Sequence, residues 1–182
     1  MSSYPDWRYF PAYAKPPTWT SSLLAVFAEN QGAIDSTVVH ETPLESDNVL
    51  AALADDLKSK MDFEVESGKT ADGKLPRPVL FGDQGSFRRT YFIDAFQVEH
   101  GIALEIEAGR ATAGNAIYRD LIQASLMLDA KFLALAVPVE YRYGKKKTTK
   151  EPTYAKTYSV VEAIYGSPRL ELPFEGLLLI GY

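Results

Sequence analysis

Three carboxylates are spaced so that one short hairpin would gather them. In Arg89–Arg110, RTYFIDAFQVEHGIALEIEAGR, Asp94 lies in a run rich in β-branched and aromatic residues, and Glu105 and Glu107 lie two residues apart in an alternating run. Thr90 to Val98 and Ile102 to Glu107 read as two strands, with turn chemistry at Glu99-His100-Gly101 between them. Side chains alternate across a strand, so Ile102, Leu104 and Ile106 face one way while Ala103, Glu105 and Glu107 face the other. Same-face neighbours sit roughly 6.6–6.8 Å apart, and an antiparallel partner would set Asp94 across from Glu105. Acidic groups gathered at one point repel each other unless a cation neutralises them, and hard oxygen donors suit magnesium or calcium. An E-x-E on an amphipathic edge strand is also what a solvated face looks like, so spacing alone leaves both readings open.

The surrounding pattern favours the first. Ile93-Asp94, an eleven-residue step to Glu105, and Glu105-Ile106-Glu107 resemble the active-site hairpin of the PD-(D/E)XK nuclease superfamily. With Arg110 and the Tyr118-Arg119-Asp120-Leu121 stretch, the resemblance runs more narrowly to restriction endonucleases of the BglII and BamHI kind, over about residues 45–140. The chain departs from the motif at Ile93, where proline gives the superfamily its name but carries no chemistry. It departs again at Glu107, where most members have lysine and the BamHI kind has glutamate.

The resemblance implies a restriction-endonuclease-like three-layer α/β/α fold with a central mixed β-sheet, and a homodimer acting on duplex DNA. It also implies Mg²⁺, with Mn²⁺ as a substitute, held by Asp94, Glu105 and the main-chain carbonyl of Ile106. Glu107 would bind a second metal or take a proton from the attacking water, and Arg110 would supply the positive charge that lysine gives elsewhere. Related nucleases sometimes add an acid from the first helix. Glu45 and Asp55 are the candidates, although a solvated helix face is the stronger reading of both. Arg88 and Arg89 would meet a backbone phosphate or simply end a strand, with nothing to separate the two. Arg119 on the following helix and Lys145, Lys146, Lys147 and Lys150 complete the candidate nucleic-acid contacts.

Composition bounds the alternatives. A chain of 182 residues, 46% hydrophobic and 24% charged, is expected to be a single globular domain over residues 1–182. There are no cysteines, which excludes disulfides, zinc–thiolate sites and thiol catalysis and permits a reducing cytoplasm, where the chain is expected. No signal peptide is visible, and the longest apolar run, Phe132–Val139, is far short of the ~20 residues of a membrane helix, so no membrane partner is expected. The net charge of −5 argues against a general nucleic-acid coat. Its distribution is uneven: residues 29–72 carry eleven acids against three lysines, and residues 140–156 carry six bases against two acids. A polarised molecule can thus be acidic on average and still present a basic face.

The remaining pattern supplies the frame. Residues 1–20 hold four prolines and six aromatics and read as an extended arm packed on the core, with base stacking as the functional alternative. Helices are expected over Thr20–Asn30, stopped at Gly32, and from a cap at Ser46 or Asp47 to about Met61. Phe63–Ser67 reads as a strand, Gly68 to Pro78 as a flexible turn, and Gly82–Ser86 as a loop that is neither a G-x-G-x-x-G nor a Walker loop. Asn115 would cap a helix over Ala116–Leu128, whose buried stripe is Ile117, Leu121, Ala124 and Leu128. Phe132–Val139 reads as a central strand parallel to the second hairpin strand. Tyr141–Lys150 reads as a basic loop, Tyr154–Tyr165 as a weak helix, and Leu177–Ile180 as a last strand closing the sheet.

Other chemistries find less support. His40 and His100 are the only histidines, no G-x-S-x-G elbow is present, and nothing marks a sugar groove for paired-carboxylate glycosidase chemistry. Two functions of different class follow: a Mg²⁺-dependent DNA endonuclease, or a catalytically inactive module of the same fold that binds nucleic acid or protein. The retained Asp94, Glu105 and Glu107 favour the first; the acidic charge and the absent lysine favour the second.

Overall fold

A computed structural model describes residues 4–41, 44–68, 70–109, 115–143 and 149–182. In chain order the elements are β1 (Asp6–Phe10), α1 (Thr18–Glu29), α2 (Gln31–Ile34), α3 (Ser46–Met61), β2 (Phe63–Val65), β3 (Leu75–Phe81), β4 (Phe87–Ile93), β5 (Ala95–Gln97), β6 (Ile102–Ile106), α4 (Ala116–Ser125), β7 (Phe132–Val137), β8 (Tyr141–Tyr143), β9 (Thr149–Glu151), α5 (Thr153–Gly166) and β10 (Gly176–Gly181). Six of the strands form one mixed sheet in the order β1-β10-β7-β6-β5-β2. The inner strands β6, β7 and β10 run parallel, and β1, β5 and β2 pair antiparallel at the margins.

Sequence explains this order. The runs FLALAV and GLLLIG are apolar at almost every position because β7 and β10 are covered on both faces. One face carries α1, α2 and α3, which bring Leu23, Phe27, Ile34, Val49, Leu53 and Leu57 onto Ile102, Leu104 and Ile106. The other carries α4 and α5, which bring Ile117, Leu121, Ala124 and Val161 onto Ala103, Leu133 and Leu135. The result is a three-layer α/β/α arrangement around a central mixed sheet. The alternation read in Ile102–Glu107 therefore divides the two layers as expected, and β6 and β7 are the parallel pair joined through α4.

Several local expectations change. The strand expected over Thr90–Val98 breaks at Asp94: β4 leaves the main sheet and pairs with β3, while β5 stays with β6 and β2. Pro76 and Pro78 lie inside β3, not in a turn, because a two-stranded ribbon has outer edges where a missing N–H costs nothing. Gly32 lies within α2 and is no helix stop. The N-terminal arm contributes an antiparallel strand, β1, along β10, so β10 is an inner strand and not the closing one. Helix α4 ends at Ser125, three residues short of Leu128. Residues at both ends of the basic segment pair as β8 and β9.

Candidate functional site

The break at Asp94 is what builds the site. Antiparallel pairing of β5 with β6 runs from Gln97↔Ile102 to Ala95↔Leu104, and one step further Asp94 meets the part of β6 that has no strand opposite it. The backbone N–H of Glu107 donates to the Ala136 carbonyl on β7. Ile106 therefore turns its own peptide groups the other way, toward Asp94. The Asp94 carboxylate accepts the orphaned Ile106 N–H at 2.8 Å, replacing a missing ladder partner. A strand residue directs N–H and C=O to the same side, so the Ile106 carbonyl opens onto the same edge.

Glu105 lies half-buried on the α4 side of β6, near enough to Asp94 for that carboxylate to act on it electrostatically. Helix α4 adds a third acid. Asp120 is 4% exposed and sits on the buried stripe between Ile117 and Leu121. Its Oδ1 accepts hydrogen bonds from Arg119 Nε at 3.0 Å and Nη2 at 2.9 Å. Burial pushes the Asp94 carboxyl up to about 6, helped by the negative charges of Glu66 and Asp120 and opposed by the Ile106 N–H and Lys74. Burial also raises Glu105 well above the usual carboxylate range, and Asp94 and Asp120 add to it while Arg119 opposes. Asp120 is raised by burial against the pull of Arg119. Arg119 is itself raised, first by its bonds to Asp120 and also by the charges of Glu107 and Glu105. The charged forms of all three acids are thus disfavoured by burial, with Asp94 and Asp120 adding to the effect on Glu105.

Glu107 follows directly after the end of β6. Its Oε1 accepts the Gly109 N–H at 2.7 Å, and its main-chain carbonyl accepts the hydroxyl of the buried Tyr182 at 3.2 Å. The carboxylate is thus directed at the chain's own backbone and is near enough to Arg119 and Asp120 to act on both electrostatically. Of the first-helix acids, Asp55 is exposed on the outer side of α3 and takes no part. Glu45 is exposed at the N-terminus of α3, next to Ser46, whose Oγ accepts the Ala108 N–H at 3.1 Å. Helix α3 therefore begins beside the end of β6, although neither acid is drawn into the patch.

Two residues near Asp94 were not anticipated from sequence. Glu66, at the end of β2, donates its backbone N–H to the Asp94 carbonyl at 2.8 Å, and its side chain pairs with Lys74 at 2.5 Å. Lys74 thereby places an ammonium where it acts on Asp94. Asp120 was legible in principle, because an acid on the apolar stripe of an amphipathic helix is out of pattern. Glu66 and Lys74 carried no comparable signal, since Glu66 is placed by β2 pairing with β5 and Lys74 by the start of the β3–β4 ribbon.

The remaining expected residues are scattered. Arg88 and Arg89 are exposed on β4, with Arg89 lying over the Tyr91 ring at 5.5 Å. Lys150 pairs with Glu140 at 2.9 Å, and Arg142 pairs with the same carboxylate at 3.0 Å, so part of the basic segment is neutralised internally. Arg110 and Lys145, Lys146 and Lys147 lie outside the described residues.

Among the described residues, no three Asp, Glu or His side chains form a ready-made cage for an ion. The donor chemistry nonetheless fits Mg²⁺, which keeps several waters and takes one or two carboxylates together with substrate phosphates. Asp94, Glu105 and the Ile106 carbonyl are such a set. No protein-family model matches the chain, and no curated protein matches it. Among the described residues, no helix is long and apolar enough to cross a membrane.

Proposed function

We propose that this protein is a Mg²⁺-dependent endonuclease that hydrolyses phosphodiester bonds in duplex DNA, in the manner of a restriction enzyme. The observation that carries this reading is the Asp94–Glu105 pair, two half-buried acids brought together at a strand break, where the Ile106 N–H holds the Asp94 carboxylate and the Asp94 charge raises Glu105. Keeping such a pair is costly for the fold unless a cation restores the charge balance. Asp94, Glu105 and the Ile106 carbonyl would hold the ion. When bound, it polarises the scissile phosphate and lowers the pKa of a water.

The chain's own groups do the rest. The Ile106 N–H fixes the Asp94 carboxylate in the plane of the sheet. Arg119, braced by Asp120, supplies positive charge over Glu105 and Glu107 and is the described cation best placed to meet a phosphate at that patch. Glu107 accepts a proton from the attacking water once its bond to Gly109 is exchanged. Dimeric action on the two strands of duplex DNA belongs to the same proposal.

A plasmid-nicking assay with Mg²⁺ or Mn²⁺ tests it. Wild-type protein should cut and Asp94→Asn should not. Glu107→Lys restores the residue most of the superfamily carries, and it should abolish cutting if Glu107 takes the proton. One observation favours an inactive binding module instead: the Glu107 carboxylate is engaged by the backbone of Gly109. That reading requires wild-type protein to leave the plasmid intact with either metal.

A further inference from the structure

The β3–β4 ribbon leaves the main sheet one residue before Asp94 and ends in an exposed aromatic tip. Phe81 and Phe87 are register partners at that tip, with ring centroids 5.6 Å apart, and they are 53% and 66% exposed. Leu80, 55% exposed, pairs with Arg89, and Phe92 on the opposite side of β4 is 50% exposed. Large apolar side chains presented together on a projecting ribbon are a surface for a partner, because solvent gives them no reward.

The charge at the tip identifies that partner. Between Leu80 and Arg89 the chain has two arginines and one acid, Asp83, in a protein of net charge −5. Among the described residues neither Arg88 nor Arg89 is paired with a carboxylate. Lys74, Arg77, Lys150 and Lys156, by contrast, each pair with a carboxylate. The base of the ribbon is held firmly. The Arg77 guanidinium lies 3.8 Å from the centre of the Phe96 ring and pairs with Glu64 and Asp129, and the Leu128 N–H donates to the Pro78 carbonyl at 3.0 Å. At the tip, Gln84 and Gly85 both adopt positive φ, at 57° and 75°, which closes the turn tightly.

We infer that this ribbon is a nucleic-acid-binding arm, with Arg88 and Arg89 on backbone phosphates and the Phe81–Phe87 pair against the bases or sugars of a groove. The inference deepens the nuclease reading and rests on it for the choice of duplex DNA over other polyanions. The scale agrees. Seven residue steps along β4 carry the chain from Phe87 to Asp94, a reach of roughly 23 Å, and the major groove of duplex DNA admits a two-stranded ribbon. A duplex cut at Asp94 would thus be held by the same strand that delivers the acid.

The test is equilibrium binding of a fluorescein-labelled 30-base-pair duplex in Ca²⁺, read across a salt series, beside Mg²⁺-dependent cutting of plasmid. Arg88→Gln with Arg89→Gln should lower the slope of log affinity against log salt by about 1.8. Phe81→Ala with Phe87→Ala should weaken binding tenfold or more with the slope unchanged. Thermal midpoints equal to wild type are expected for both pairs, since the side chains are exposed. Either pair binding as wild type does, or wild type failing to bind duplex at low salt, overturns the arm. Loss of a dimer in the Phe variant with duplex affinity intact also overturns it and makes the tip a self-interface. Binding that depends on the ribbon with no cutting by wild type supports the arm and defeats the nuclease, whereas cutting and binding that ignore the ribbon do the reverse.

Discussion

Under α1 and α3, strand β6 presents Ile102, Leu104 and Ile106 to Leu23, Phe27, Leu53 and Leu57, and the cluster that results is apolar and aromatic throughout. Under α4 the same strand presents Ala103 to Leu133 and Ile117 and then, one step on, Glu105 to Asp94 and Asp120. Both faces are shielded by helices, yet only on the second do several acids act on one another, as Asp94 and Asp120 do on Glu105. The difference separates two tasks. The first face stabilises the domain by apolar burial. The second is more stable when its acids are neutralised, by protons or, in the proposed function, by a cation.

The comparison breaks most visibly if the acidic face is catalytically idle. Asp94→Asn keeps size and hydrogen-bonding shape but removes a ligand charge, so plasmid cutting should fall roughly a thousandfold, about 4 kcal/mol of transition-state stabilisation. A next-largest effect is expected on the apolar face. Leu53 is fully buried in α3, and Leu53→Ala should lower unfolding free energy by about 3 kcal/mol, equally with and without Mg²⁺. A metal-dependent loss there would mean the two faces are not separate.

Protonation sharpens the contrast further. The Asp94 carboxyl, normally at 3.8, is pushed up to about 6 by burial, so the folded state binds its proton more tightly than the unfolded chain does. Stability from this group is present below 3.8 and lost as pH rises through about 6. The loss is about 2–3 kcal/mol. Denaturant unfolding of metal-free protein at pH 4 and pH 8 should therefore show wild type losing that much relative to Asp94→Asn. The smallest effect belongs to a carboxylate outside the patch. Asp55→Asn, on the exposed side of α3, should change stability by less than about 0.5 kcal/mol and leave cutting unaltered.

Much of the frame was legible because its signals are local. The alternation in Ile102–Ile106 separates the two layers, the apolar runs at β7 and β10 mark strands buried on both faces, and the antiparallel pairing of β5 with β6, which ends at Ala95↔Leu104, leaves Asp94 next to Glu105. What escaped is set by tertiary choices. Pro76 and Pro78 read as a turn because proline lacks an N–H, and only the departure of β3 into a separate ribbon makes them strand residues. The chain leading into that ribbon carries Lys74 to Glu66, which the β2–β5 pairing sets beside Asp94. Arg119 read as a phosphate contact by its helix face alone, whereas its two bonds to Asp120 tie it to the acidic patch.

The claim that Asp94 and Glu105 are kept for a divalent cation is tested most directly by thermal unfolding at pH 8 with and without saturating Mg²⁺ or Mn²⁺. An ion present at 100 times its dissociation constant stabilises by about 2.7 kcal/mol. Wild-type protein should therefore gain several degrees in its midpoint, and Asp94→Asn should gain little. A wild-type midpoint that neither ion moves, or one that Asp94→Asn matches shift for shift, would contradict the account.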